Sequence, residues 1–170
     1  MSYPEEAPKP RTWRFDTDLT LSFQSKEITE FHSLWRSLSK NGELPDRKQL
    51  DPLDLKSILP HVFIIGVSYE PRPRFTYRLV GTQIVETLGR DSTGISLEEI
   101  HATTPEVIQS LVSAVDSRRP LRTFGSVSWI DKEFLDFETG VFPFLTDGDR
   151  IGQLAGATVY HPSRRRDGNA

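Results

Sequence analysis

The sequence predicts an α+β domain: a five-stranded antiparallel sheet with helices on one face, inserted after its second strand, plus an N-terminal amphipathic helix. Three observations carry this. Residues 25–40 repeat apolar side chains at helical spacing. Residues 62–80 and 121–160 are β-branched or alternate with a period of two, and Thr104-Pro105-Glu106 opens a helix between them. The expected divisions are a flexible N-terminal arm (1–20), the amphipathic helix with its flanks (21–43), the sheet domain (44–161) and a basic C-terminal tail (162–170).

The arm carries Pro4, Pro8 and Pro10 among charges, with Trp13 and Phe15 as its docking side chains. In the first helix Ile28, Phe31, Leu34, Trp35 and Leu38 share one face, Ser25 is the expected N-cap and Gly42 the stop. Asp51-Pro52 reads as cap and first residue of a short helix that Pro60 ends. Val62–Ser68 is nearly all apolar, as a central strand would be, and Arg74–Val80 is its antiparallel partner with Phe75, Tyr77 and Leu79 on one face. Ile84, Val85 and Leu88 then follow at helical spacing. Gly89 closes that helix, and Asp91-Ser92-Thr93-Gly94 is a turn in which Asp91 bonds backbone amides and Gly94 takes positive φ. After a short helix at 97–100, the helix beginning at Pro105 buries Ile108, Leu111, Val112 and Val115, with Arg118 and Arg119 near its C-terminal dipole. Three strands close the chain. Val127 and Trp129 share a face of the first, and Leu135, Phe137 and Val141 a face of the second, opposite Asp136 and Glu138. Pro143 implies an edge or a bulge, and Asp147-Gly148 a type I′ hairpin turn. Gly152, Ala155, Gly156 and Ala157 keep the last strand low enough for a helix or ligand to approach.

Composition narrows the function. Net charge is −3 with the signs interspersed, so no basic field marks a nucleic-acid partner, and Arg164–Arg166 reads as a solvated tail. The absence of cysteine removes disulfides, thiolate metal sites, cysteine nucleophiles and cysteinyl-flavin photochemistry. No apolar run approaches the ~20 residues of a membrane span, and residues 1–11 have no signal-peptide core, so a cytoplasmic location is expected. No metal site is expected: His101 with Asp91, Glu98 and Glu99 lacks enforcing ligand spacing, and Asp147-Gly148-Asp149 lacks the further ligands of a calcium loop. There is no Gly-x-Ser-x-Gly elbow or phosphate-cradling glycine loop, so no catalytic residue is assigned.

Several segments together are more specific than their composition. Leu50-Asp-Pro-Leu-Asp-Leu55, Ile58-Leu-Pro-His61, Phe75 to Thr82, Leu88 to Gly94 and Pro143 to Gly148, in this order, resemble the single-domain PAS-like family found in many alphaproteobacteria. The resemblance spans roughly residues 44–160. It implies a PAS-like sheet and a sensory or protein-interaction module, and it brings no established catalytic residues or agreed ligand. Haem-binding PAS domains generally use a histidine on the longer helix; residues 105–117 contain none, which argues against haem and leaves the cofactor unknown.

The candidate ligand-binding residues are Tyr77, Arg78, Trp129 and Phe137 on strands, with His61 at the mouth of the first strand. The aromatics suit an apolar or amphipathic small ligand, and Arg78 an anionic head. The expected function is a non-catalytic signalling module in which pocket occupancy shifts helix packing and so a dimer or partner surface. The stripe at 25–40 is the expected output element, docking on its own sheet or on a second subunit to make a homodimer. Two alternatives stand beside this: a ligand-free interaction adaptor, and an isomerase or dehydratase using Asp91 with His61.

Overall fold

The computed structural model describes residues 12–129 and 132–163. Its centre is a six-stranded antiparallel sheet in the order β1-β4-β5-β6-β2-β3. The strands are β1 (Thr12–Asp18), β2 (Val62–Tyr69), β3 (Pro73–Val80), β4 (Leu121–Trp129), β5 (Lys132–Asp147) and β6 (Arg150–Pro162). The helices are α1 (Lys26–Leu38), α2 (Thr82–Leu88), α3 (Leu97–Ile100) and α4 (Pro105–Ser117).

Strand alternation separates two faces. Phe63, Ile65, Phe75, Val141 and Leu154 pack in one core with Ile84 of α2, Leu97 of α3 and Leu111 of α4. The intervening residues Val62, Phe142, Phe144 and Ala155 pack in another with Phe31 of α1 and with Leu55 and Ile58 of short 3-10 turns. The helices inserted after β3 therefore cover one face and α1 covers the other. Phe142 is the centre of the α1 contact: its ring lies 5.1 Å from Phe31, 5.5 Å from His32 and 5.8 Å from both Phe23 and Trp35. Trp35 Nε1 also donates to the Pro143 carbonyl at 2.9 Å. Gly140 permits this approach, since a Cβ there would lie 2.6 Å from Ile28 Cγ2. With Ile28 and Phe31 fully buried, the α1 stripe docks on its own sheet, and Leu34, Trp35 and Leu38 are half-buried at its margin.

Residues 12–18, expected within a flexible arm, form a sixth strand instead, paired with β4 from Thr12↔Ser128 to Asp18↔Arg122. Phe15 reaches Phe137 on the helix-covered face, with ring centroids 6.3 Å apart. Residues 1–11 and the Arg164–Arg166 run lie outside the described residues.

Three local expectations are corrected. First, Ile64 pairs with Leu79 but Ile65 with Tyr77, so β3 holds one extra residue, Arg78. That bulge leaves Tyr77 in the helix-side core and sends Leu79 to the α1 side. Second, Ser25 stands at the N-cap of α1 without capping it. Its hydroxyl is buried beside Glu138 but outside hydrogen-bond geometry, and the Glu138 carboxylate takes the local N–H groups instead. Third, the β5–β6 turn has positive φ only at Gly148 and not at Asp149, so it is not type I′. Pro143 fits as expected: β4 ends opposite Val141, and on that side Leu145 N–H instead donates to the Pro45 carbonyl.

The turn chemistry between β3 and α4 follows the sequence. Gly89 (φ 72) closes α2 and Gly94 (φ 84) bends the next loop. Asp91 Oδ1 accepts from Thr93 N–H at 3.0 Å and from its hydroxyl at 2.7 Å. The loop then pairs with the outer edge of β3, with Gly94 N–H donating to Tyr77 O and Tyr77 N–H to Ile95 O, while Glu98 accepts from Phe75 N–H at 2.9 Å. One edge of the sheet is thereby closed.

Candidate functional site

The helix-covered face of the sheet has a polar floor. Thr17, Thr123, Thr139 and Thr158 lie in register on one rung across β1, β4, β5 and β6. Thr123 and Thr158 are buried, and the hydroxyls of Thr139 and Thr158 share a 2.9 Å hydrogen bond. The next rung holds Phe15, Gly125, Phe137 and Tyr160. On the other side of the threonines the rung holds Val141, Gly156 and Phe63, and Tyr77 stands on β3 opposite Ile65, two residues along β2 from Phe63. Leu88 of α2 packs against both the Tyr77 and the Phe137 clusters, and so roofs the floor.

Two phenols bracket this floor. Burial pushes the Tyr77 hydroxyl up to about 12. The Tyr160 hydroxyl is raised first by burial and then by Tyr77, so the two lie within electrostatic reach. Neither has a hydrogen-bond partner among the described residues. Both remain neutral near pH 7 and can each donate one hydrogen bond and accept others. Arg122, Asp136 and Glu138 project from the neighbouring strand positions to the opposite face, which leaves the floor without a charge from these strands.

The sequence-derived candidates divide. Tyr77 and Phe137 face this floor. Arg78 does not: the bulge turns it to the opposite face, where it is exposed and runs over Gly66. The anionic-head role assigned to it has no basis at this site. His61 ends the 3-10 turn before β2, half-buried, with its N–H donating to Ile58 O. The side chain of Trp129 lies outside the described residues. Asp91 is exposed, and its hydrogen bonds with Thr93 hold its carboxyl below the usual range, the wrong direction for a general base working near neutrality. Among the described residues no group of three or more His, Asp or Glu is arranged to hold a metal. Sequence reading missed Tyr160 and the threonine rung. The available signal was a threonine at the alternating position of three strands, which becomes a row only once the register is known.

His101 adds a titratable group to the helix layer. It follows α3, with its Nδ1 3.2 Å from Thr104 Oγ1, and burial lowers its pKa from 6.5 to about 4. The folded state thus binds fewer protons than the unfolded chain between these values. Its contribution is fully present above pH 6.5 and is lost as pH falls toward 4, about 3 kcal/mol in all. Urea midpoints measured from pH 7 to 4.5 should fall in the wild type and fall much less in His101→Gln; parallel curves would refute the assignment.

Comparison with known proteins places the fold. A family described as PAS domain matches residues 23–159. Among solved structures, a chain titled "Structure of an RNA-binding Light-Oxygen-Voltage Receptor" is similar with a TM-score of 0.52 and 13% identity. That match covers 91% of this chain and 39% of the receptor chain, and at this identity the likeness is one of fold. A comparison with curated proteins found no match.

Proposed function

Because the chain belongs to the PAS domain family, we propose that it works as a cytoplasmic, non-catalytic sensory module that takes a small uncharged amphipathic ligand between α2 and the sheet. One observation carries the reading: two half-buried, desolvated phenols without hydrogen-bond partners among the described residues bracket a floor of threonines. A partly desolvated phenol gains from a hydrogen-bond partner, and a ligand with an acceptor group would supply one. The apolar part of such a ligand fits against Phe137 and Leu88. A signalling partner would read the change that occupancy imposes on helix packing.

Native mass spectrometry of protein purified from its own host tests this. The expected result is a retained small molecule, with affinity lowered about tenfold by Tyr160→Phe, the loss of one hydrogen bond. No retained mass, and no thermal shift with neutral amphiphiles at millimolar concentration, would favour the second reading, a ligand-free interaction adaptor. That reading has its own support: two open clefts, of about 560 and 520 Å³, lie away from the floor around Arg118 and Asp149 at the β5–β6 turn.

A further inference from the structure

β1 and α1 meet the sheet at different places, one at an edge and the other on a face, yet both are tied to the same two side chains. Arg122 of β4 donates through Nε to Glu138 Oε2 at 2.7 Å and through a terminal nitrogen to Asp18 Oδ2 at 3.3 Å. Glu138 in turn accepts from Gln24 N–H at 2.9 Å and Ser25 N–H at 2.8 Å, at the start of α1. Asp18, the last residue of β1, accepts from Thr20 N–H at 2.8 Å and Ser22 N–H at 3.0 Å. The whole connection from β1 to α1 therefore hangs on two carboxylates joined by one guanidinium, which itself lies 4.5 Å over the Phe124 ring. The Arg122 and Glu138 side chains are only 12% and 6% exposed.

A second feature sits in the same connection. Leu21 has φ 57, a left-handed conformation that a bulky side chain adopts only under constraint from its surroundings. Opening the connection releases that strain, while keeping it closed depends on the carboxylates. Arg122 cannot lose one of them without leaving a poorly solvated charge behind.

We propose that Arg122, Glu138 and Asp18 form a latch, and that β1, the 19–25 connection and α1 detach from the sheet and redock as one cooperative unit under its control. The helix-side core, including α4, stays folded when the unit opens. The inference does not rest on a bound ligand, although β1 also brings Phe15 and Thr17 to the floor on the helix-covered face.

Native-state hydrogen exchange of the full chain at low urea tests it directly. Amides of 12–18 and 26–38 should share one opening free energy and one urea dependence, both smaller than those of 105–117. Arg122→Gln should raise exchange in both segments together, by at least about 100-fold, while 105–117 keeps an opening free energy larger than theirs. Opening of β1 apart from α1, or exchange of α1 only with global unfolding, would overturn the proposal. So would an increase confined to one segment in Arg122→Gln. Should that variant fail to fold, the wild-type urea series decides alone.

Discussion

Glu138→Ala is expected to cost about 3–5 kcal/mol, because it strands a buried guanidinium and two N–H groups at once. Burial alone would raise the Glu138 carboxyl, but hydrogen bonds from Gln24, Ser25 and Arg122 outweigh it and hold the group below its ordinary 4.5. A depressed carboxylate stabilises the fold above its unfolded value and loses that contribution as pH falls through the folded one. The wild type should therefore lose this stability only below about pH 4.5, under the His101 window, and Glu138→Ala should lack that acid limb. Urea unfolding followed by circular dichroism measures both. A loss under about 1 kcal/mol at pH 7 would show the network to be no better than a surface pair. Replacing Arg122 and Glu138 together by Met and Leu should recover more than half of the loss, since the two most buried charges go together and Asp18 keeps its hydrogen bonds from Thr20 and Ser22.

Phe142→Ala is the second large effect. The ring is fully buried and is the common neighbour of Phe23, Phe31, His32 and Trp35, so its removal opens a cavity beneath α1 that one residue cannot refill. The expected cost is about 3–5 kcal/mol, with Phe142→Leu costing less than half as much. Trp35 should shift toward a solvent-exposed emission maximum in Phe142→Ala. Unchanged stability would mean that α1 is not held through this ring.

Much of the scaffold was legible because its signals are local. The 25–40 stripe, Asp51 capping Leu53 N–H, Gly89 closing α2 and the Asp91–Thr93 turn each depend on residues a few positions apart. What failed depends on partners far along the chain. β1 is a strand because β4 offers an open edge; its local signal, Trp13, Phe15 and Thr17 alternating with Arg14, Asp16 and Asp18, is short and adjoins a Pro- and charge-rich stretch. The Arg78 bulge exists relative to β2; the alternation of Phe75, Tyr77 and Leu79 looks unbroken without it. Glu138 read as the solvent side of a strand because its partner Ser25 lies 113 positions away. The site was half legible for the same reason. Tyr77 and Phe137 announced themselves as strand aromatics, whereas Arg78 was lost to the bulge and Tyr160 gained its role only from its pairing with Phe137.

Glu138 stands between Phe137 and Thr139 in β5. Those neighbours face the threonine floor, while Glu138 itself holds the start of α1. Three consecutive residues thus serve both sides of the domain, and the two surfaces are separated by the thickness of one strand instead of the length of a helix. Any rotation of that short stretch about its own axis moves a floor residue and the anchor carboxylate together, in opposite directions. Communication across this domain needs no relay of side chains, only the stiffness of a peptide backbone.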